Sequence, residues 1–201
     1  MANQKTLRTF IAFPLNEQLV PELDRIQREF KRRVPDRAVR WVRPSSIHLT
    51  LFFIGDVLPN RIDPITDALA LIAENAAPFS FVAEGIGVFP NPRRPRVLWV
   101  GVNEVSGEPL TVLHGAVNEA MENLGFEPET RPYHPHLTIG RVRRRASGRD
   151  VRAIGEVMTH VEVDRLAEVS VEEIILFQSI LKPTGAEYHR LAALPLGDTA
   201  S

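Results

Sequence analysis

One short pattern occurs twice in the chain, and it constrains the fold more than any other feature. Positions 48–51 read His-Leu-Thr-Leu and positions 136–139 read His-Leu-Thr-Ile, both inside runs of strand-forming residues. Successive side chains of a strand point to opposite faces. Each copy therefore predicts a strand that buries two aliphatic residues on one face and presents a histidine and a threonine on the other. If the two polar faces meet, they line one cleft.

His48 and His136 are suited to general acid–base catalysis, because an imidazole with a pKa of about 6.5 exchanges protons close to neutral pH. In a pair, one imidazole accepts a proton while the other, protonated, donates one. Thr50 and Thr138 follow two residues later on the same face, where a hydroxyl can donate to the oxygens of a bound anion. Phosphoryl chemistry uses this layout, with an activated nucleophile, a protonated leaving oxygen and donors around the phosphate.

Two plainer interpretations compete with catalysis. A single His-x-Thr segment occurs by chance in many strands, so the argument depends on both copies having aliphatic residues in the alternate positions. Histidine is also the commonest metal ligand, but no aspartate, glutamate or cysteine stands at ligand spacing beside either copy. The sequence therefore predicts no metal site.

Composition places the chain among ordinary globular proteins. Of its 201 residues, 44% are hydrophobic and 24% are charged, and the formal net charge is -1, which argues against a surface that is basic overall. There is no cysteine, which excludes disulfides and thiolate chemistry. No apolar run approaches the roughly 20 residues of a membrane helix, so we expect a soluble, cytoplasmic protein.

Hydrophobic periodicity predicts both helices and strands, and the strands come partly in hairpin-like pairs, so strict parallel βαβ winding is not expected. Helices are predicted between positions 16 and 35, over 60–76, between 106 and 125, and over 148–158. Strands are predicted over 9–13, 39–42, 47–54, 79–83, from near 87, 97–102, 136–142, 161–163, 169–179 and 187–196, with a turn at 182–185. Alternation puts Phe52 on the face of His48 and Thr50.

Several segments together resemble the two-histidine phosphoesterase superfamily, and within it the RNA 2′,3′-cyclic phosphodiesterases, also called the bacterial 2′-5′ RNA ligase family. Besides the two motifs, the resemblance rests on Leu-Arg-Thr-Phe-Ile-Ala-Phe-Pro at 7–14, Phe53 and Gly55, Tyr-His-Pro at 133–135, Gly140 and Arg141, Leu-Phe-Gln-Ser-Ile-Leu at 176–181, and Gly185, Tyr188 and Leu191. These segments are spread over most of the chain.

The resemblance implies an α+β fold of two lobes, in which two antiparallel sheets face a central cleft, helices lie outside and a pseudo-two-fold axis relates the lobes. Residues 1–201 would form a single domain to which each lobe contributes one motif. The implied reaction opens a 2′,3′-cyclic phosphate to a 2′-phosphomonoester without a metal or another cofactor. In reverse, the same site would join a 5′-hydroxyl to a cyclic phosphate.

The resemblance also assigns roles to individual residues. His48 would protonate the leaving 3′ oxygen, His136 would activate water, and the two threonines would hold phosphate oxygens; the opposite assignment of acid and base stays open. Arg141 completes the family pattern His-x-Thr-x-x-Arg and would add a positive charge near the phosphate. Strict alternation puts Arg141 on the face away from His136, unless a bulge at Gly140 or the end of the strand intervenes.

The expected partner is an RNA or a nucleotide that ends in a 2′,3′-cyclic phosphate, and a monomer is expected because the cleft is self-contained. Two alternatives stay open: a cyclic phosphodiesterase for small nucleotides such as ADP-ribose 1″,2″-cyclic phosphate, and a non-catalytic module that binds RNA ends. Arginines at 93, 94 and 96, and seven between 131 and 152, are candidates for contacts with an RNA backbone or belong to solvated loops. Tyr133 is expected to pack, and His134 to support the structure or line the rim.

Overall fold

The fold mixes strands and helices along the whole chain. The computed structural model describes residues 5–182 and 185–197. Its strands are β1 (Leu7–Phe13), β2 (Val39–Trp41), β3 (Leu49–Val57), β4 (Phe79–Phe89), β5 (Val97–Glu104), β6 (His136–Val142), β7 (Ala167–Val171), β8 (Glu173–Lys182) and β9 (Gly185–Pro195). Its helices are α1 (Leu19–Arg33), α2 (Ile62–Glu74), α3 (Pro109–Asn123) and α4 (Gly148–His160), with single 3₁₀ turns at Pro44–Ser46 and Pro59–Arg61.

The strands pair in antiparallel fashion, in the order β7-β4-β5-β6-β3-β1-β8-β9, and β2 pairs with β6 outside this path. The halves β7-β4-β5-β6 and β3-β1-β8-β9 are joined at one residue pair, Leu49 with Leu137. The α+β class with antiparallel strands is therefore confirmed. The two sheets expected from the sequence are the two halves of a sheet that is continuous through this pair, and the motif strands β3 and β6 are neighbours at its centre.

One large apolar core contains residues of both halves of the sheet and of the four helices. Strand residues such as Leu49 and Leu137 pack there with helix residues that recur at helical spacing: Leu19, Leu23, Ile26 and Phe30 of α1, Ile65 and Leu69 of α2, Leu110, Leu113 and Val117 of α3, and Ile154 and Met158 of α4. Burying a side chain of this size stabilises the fold by roughly 1.5–3 kcal/mol. This burial keeps the helices against the aliphatic face of the motif strands.

From Phe10 to Phe13 the strand β1 is buried on both faces, which explains the continuous apolar sequence of this part. Ile11 and Phe13 join the main core. Phe10 alternates to the opposite face and packs in a second, smaller cluster with Phe177 of β8, against which Tyr188 of β9 also packs. The face of the sheet away from the main core therefore carries aromatic rings next to the first motif.

Two of the helices begin next to side chains that satisfy free backbone amides. The Asn16 side chain accepts a hydrogen bond from the Leu19 amide at 2.9 Å, and Ser147 forms a reciprocal capping box with Asp150 at the start of α4. Gly125, with φ of +83°, follows α3. No helix within residues 5–182 and 185–197 is long and apolar enough to cross a membrane.

The strands differ from the prediction in three places. The segments predicted at 79–83 and from near 87 form one strand, β4, which continues through an irregularity at Gly85. The segment predicted over 169–179 is two strands, interrupted at Glu172, whose carbonyl accepts from the Leu196 amide. Positions 161–163 are not a strand. The carbonyl oxygen of Val163 accepts a hydrogen bond from the amide of Gly85, where β4 is irregular. Of the predicted turn, positions 183 and 184 lie outside the described residues.

Candidate active site

The five site residues predicted from the sequence line one cleft, whose volume is about 780 Å³. His48 immediately precedes β3 and Thr50 lies in it, and His136, Thr138 and Arg141 come from β6. The structure thus brings together side chains that lie up to 93 positions apart in the sequence.

The central pair of the sheet explains why the two motifs meet. Leu49 and Leu137 are register partners and are both fully buried, so the residues that flank them project to the opposite face. The four flanking side chains, His48, Thr50, His136 and Thr138, therefore line the same cleft.

Both imidazoles are oriented by a main-chain carbonyl two residues earlier. Nδ1 of His48 lies 3.0 Å from the carbonyl oxygen of Ser46, and Nδ1 of His136 lies 2.7 Å from that of His134. A carbonyl only accepts hydrogen bonds, so each neutral ring keeps its proton on Nδ1. Nε2 is then the atom of each ring that is available to exchange a proton with a substrate.

Aromatic rings surround His48 and lower its basicity. The imidazole stacks on Phe10 at a centroid distance of 4.6 Å and meets the edge of Tyr188 at 5.0 Å. The pKa of His48 is lowered to about 4, mainly by burial and to a lesser degree by the nearby positive charge of Arg141, while the carbonyl of Ser46 acts in the opposite direction and raises it. The free imidazole of His48 is therefore neutral at pH 7.

His136 has a comparable but separate aromatic surrounding. Its ring lies 4.9 Å from Phe89, edge to face, and 6.2 Å from Trp99. Burial again lowers the pKa, the carbonyl of His134 raises it, and the charge of Arg141 lowers it. Burial thus favours the neutral form of both imidazoles.

A bulge in β6 decides where Arg141 points. Trp99 of β5 pairs with Thr138, whereas the preceding Leu98 pairs with Gly140, so Ile139 is an extra residue on β6. The extra residue returns Arg141 to the face of Thr138, where it lines the cleft. A Cβ at Gly140 would lie 2.8 Å from the Val39 side chain, so the glycine allows β2 to approach β6 closely at this point.

Gln27 of α1 holds the backbone at this bulge. It is fully buried, and its amide nitrogen donates to the carbonyl oxygens of Val42 at 2.7 Å and of Ile139 at 2.8 Å. The Val42 amide also donates to the Ile139 carbonyl, at 3.0 Å. The extra residue of β6 is therefore fixed by a side chain 112 positions earlier, and no sequence pattern pointed to Gln27.

A similar bulge in β3 makes the prediction for Phe52 wrong. Thr50 pairs with Ala12 of β1 and Phe52 pairs with Ile11, so Leu51 is an extra residue. Phe52 consequently turns into the core, where only 4% of it is exposed. Phe53 takes the place on the cleft face and is 66% exposed.

Several further cations line the cleft. Arg143, just after β6, is one of the arginines that the sequence offered for RNA contacts, whereas four others were not predicted: Arg8 of β1, Arg40 of β2, Arg43 just after β2, and Lys182 of β8. Arg40 is the register partner of Arg141, and its charge, together with burial, lowers the pKa of Arg141. From the sequence alone, an arginine at the end of a strand is expected to be exposed to solvent. Only the pairing of the strands shows that these positive charges are concentrated in the cleft.

Tyr133 and His134 support the site from outside the cleft lining. The ring of Tyr133 stacks on His114 at 3.8 Å, and its hydroxyl donates to the Thr50 carbonyl oxygen at 3.2 Å. Burial raises the pKa of Tyr133. His134 is exposed and contributes the carbonyl that orients His136. Within the described residues, no group of three or more histidine, cysteine, aspartate or glutamate side chains is placed to hold a metal ion.

Known proteins resemble this chain over most of its length. The family described as LigT like Phosphoesterase matches residues 13–99 and again residues 100–188. An RNA 2′,3′-cyclic phosphodiesterase of Geobacillus stearothermophilus is 34% identical over 93% of this chain, which spans just over half, 56%, of that protein. An RNA 2′,3′-cyclic phosphodiesterase of Methanothermobacter thermautotrophicus is 34% identical over 90% of this chain and 95% of its own length.

A solved structure has the same fold over nearly its whole length. The crystal structure of TT0787 of Thermus thermophilus superposes with a TM-score of 0.78 at 26% identity, and the match covers 96% of this chain and 100% of that one. The boundary between the two family matches, at residues 99 and 100, falls between the two His-x-Thr motifs. With 34% identity to two relatives over most of its length, this chain belongs to the LigT-like phosphoesterase family, which is the two-histidine family that its paired motifs indicated.

Proposed function

We propose that this protein hydrolyses the 2′,3′-cyclic phosphate at the 3′ end of RNA to a 2′-phosphomonoester, with His48 and His136 as general acid and base. One observation carries the proposal: two imidazoles whose Nδ1 atoms are both held by carbonyls line the same cleft, together with the threonines of both motifs. The names of the relatives from Geobacillus and Methanothermobacter support the choice of substrate.

The proposed reaction is an in-line displacement at phosphorus. His136 Nε2 takes a proton from water as the water oxygen bonds to phosphorus. The bond from phosphorus to the 3′ oxygen breaks, and protonated His48 donates its Nε2 proton to that oxygen. A 2′-phosphate and a 3′-hydroxyl result. Ligation follows the same steps with a 5′-hydroxyl in place of water: His136 takes the proton of the hydroxyl, its oxygen bonds to phosphorus, and the 3′ oxygen leaves with the proton of His48, which gives a 2′-5′ phosphodiester.

The phosphate itself prepares the acid. Burial favours the neutral form of both imidazoles in the free protein, but the negative charge of a bound cyclic phosphate favours the imidazolium form and raises the pKa of a neighbouring histidine. Thr50 and Thr138 donate to the phosphate oxygens, and the guanidinium of Arg141 balances the negative charge that develops there. No metal and no nucleotide cofactor take part in these steps.

The opposite assignment, with His48 as base, has one observation in its favour, namely that His48 has its pKa lowered to about 4. A substrate with sulfur in place of the 3′ oxygen separates the two assignments, because a thiolate leaves without a proton. This substrate should restore the rate of the variant that lacks the acid, and leave the variant that lacks the base slow. We expect restoration in His48→Ala and none in His136→Ala.

We further propose that the chain acts as a monomer and as a single domain, in which each half of the sheet contributes one motif to the shared cleft. The junction at Leu49 and Leu137 supports this division, because it lies between the two motif strands. A small nucleotide is a second candidate substrate, since a cleft of about 780 Å³ is of the size that holds small ligands.

The test is incubation with a short RNA that ends in a 2′,3′-cyclic phosphate, in the presence of EDTA, with the product identified by phosphorus NMR. We expect a 2′-phosphate, and a loss of ~10²–10⁴-fold in rate for either histidine-to-alanine variant. A 3′-phosphate would mean that the other ribose oxygen leaves. Near-normal turnover in either variant would overturn the paired mechanism, and RNA that binds without reacting would indicate an RNA-end-binding module.

A further inference from the structure

Eight arginines beside the cleft form a surface that we call the arginine patch. They are Arg93, Arg94 and Arg96 between β4 and β5, Arg143, Arg144 and Arg145 after β6, and Arg149 and Arg152 in α4. All of them are exposed except Arg143, which is half-buried. The three segments adjoin one another: the Val142 amide donates to the Arg96 carbonyl at 2.9 Å, and Gly155 of α4 packs directly on Pro92.

Charge is strongly segregated between this patch and the rest of the chain. Positions 93–96 and 143–152 contain eight arginines and one acid, Asp150, and so carry a formal charge of +7. The rest of the chain therefore carries -8, although the whole protein is nearly neutral. A local field of this sign attracts a polyanion even when the net charge is close to zero.

The ion pairs of the described residues lie outside the patch. Elsewhere, six arginines and one lysine form ion pairs with carboxylates, for example Arg33 with Glu29 and Arg190 with Glu173. In the described part of the chain none of the eight patch arginines forms an ion pair. Asp150 is occupied by the capping box, and Arg149 lies in the first turn of α4, where a positive charge opposes the helix dipole.

The patch continues directly from the cleft. Arg143 lines the cleft together with Arg141 and is also the first arginine of its segment. At roughly 3.3 Å per residue, Arg143 lies about 16 Å along the chain from Thr138. An RNA whose 3′ end reaches the two motifs can therefore place its preceding phosphates over the patch.

We propose that the arginine patch binds the backbone of the RNA upstream of its cyclic phosphate, so that the preferred substrate is a polynucleotide and not a mononucleotide. This inference rests on the proposed function and extends it to the length of the substrate. Contacts with phosphates are independent of sequence and release bound counterions. The patch therefore selects for length and charge, whereas the cleft selects for the chemical end.

The experiment compares two substrates that both end in a 2′,3′-cyclic phosphate, a dinucleotide and an RNA of roughly 12 nucleotides, which is within the range of single-strand binding sites. The variant R144Q/R145Q/R149Q changes exposed residues outside the cleft lining. For the wild type we expect a KM at least about tenfold lower with the long RNA. The variant should lose this advantage and keep its kcat/KM for the dinucleotide within about twofold.

The salt dependence of RNA affinity provides a second readout, and a variant of α1 provides a matched control. Each lost phosphate contact should reduce the slope of log affinity against log salt by ~0.7 for a single strand. The control R25Q/R28Q/R32Q removes the same number of positive charges from a helix that the patch does not include. The control should behave like the wild type with both substrates.

Equal KM values for the two substrates in the wild type, or an unchanged KM for the long RNA in the patch variant, would overturn the inference. Binding of phosphatidylserine vesicles that is lost in the variant, with RNA affinity unchanged, would assign the patch to membranes instead.

Fluorescence anisotropy with an RNA that ends in a 3′-hydroxyl separates this inference from the proposed function, because it measures binding through the patch without hydrolysis. If neither cyclic phosphate is hydrolysed but that RNA binds through the patch, only the proposed function fails.

Discussion

At the scale of single residues, the site depends on how readily each imidazole accepts a proton. Burial lowers the pKa of His48 to about 4 and also lowers the pKa of His136. We expect NMR titration of the free protein to give midpoints below 6.5 for both, with His48 the lower. Inorganic phosphate in the cleft should move both midpoints upward, because an anion favours the charged ring.

The exposed His189 serves as an internal reference for any general effect of phosphate on imidazole signals. A midpoint at or above 6.5 for His48 in the free protein would contradict the burial argument. Midpoints that do not respond to phosphate would show that the anion does not bind between the two rings.

The two threonines permit a substitution that keeps the shape of the side chain. Thr138→Val removes one hydroxyl, and a hydrogen bond to a charged group contributes roughly 1.5–3 kcal/mol. We therefore expect kcat/KM for the cyclic phosphate to fall about 10- to 150-fold, with the same result for Thr50→Val. Steady-state kinetics check this, with Thr111→Val as the control, because its hydroxyl binds Glu104 outside the cleft. Unchanged kcat/KM in both cleft variants would contradict the proposed role.

The sequence predicted the positions of the histidines and threonines because these depend only on a period of two and on buried leucines. It failed at Phe52, because an extra residue at Leu51 changes the face of everything that follows, and nothing in the composition of the strand marks that bulge. It also missed Arg8 and Arg40, since their place in the cleft depends on which strands are neighbours.

At the scale of secondary structure elements, the bulge in β6 links α1 to the cleft. Gln27 holds the bulge through the Ile139 carbonyl, and the bulge directs Arg141. We expect Gln27→Leu to lower kcat/KM in the wild-type background and to have little further effect when Arg141 is already alanine. A double-mutant cycle measures this coupling, because residues that act through one another are not additive.

The matched control for this cycle is Ile26→Val, a conservative core change one position away on α1. This substitution should lower the free energy of unfolding modestly and leave kcat/KM unchanged, both in the wild type and in Arg141→Ala. If Gln27→Leu costs the same with and without Arg141, the side chain is only structural and does not position the arginine.

The helices were easier to predict than the strands at this scale. Apolar spacing and local caps, such as Ser147 with Asp150, are contained within each helix. The break between β7 and β8 depends instead on a hydrogen bond from the distant Leu196 amide. The continuity of the sheet rests on the single pair of Leu49 with Leu137, and no local pattern specifies such a pairing.

At the scale of the whole molecule, the cleft spans the junction between the two halves of the sheet. A ligand held by both motifs stabilises the folded protein by about 2.7 kcal/mol at a concentration of 100 times Kd. For a domain of this size we expect Tm to rise by roughly 5–11 °C. Differential scanning calorimetry with a 2′-phosphorylated nucleotide measures the shift. Arg141→Ala should reduce it at the same ligand concentration, and an unchanged wild-type Tm would mean that the product does not bind the folded protein.

The hydrogen bonds from the two imidazoles to Ser46 and His134 bear on how this site can change during evolution. An orienting side chain can be lost through one codon change, whereas a carbonyl oxygen is present whatever residue occupies the position. Substitution at Ser46 or His134 therefore leaves the acceptor in place as long as the backbone keeps its path. The path of the main chain therefore keeps the proton of each imidazole on Nδ1. Related proteins can vary the side chains at these positions and still keep this tautomer.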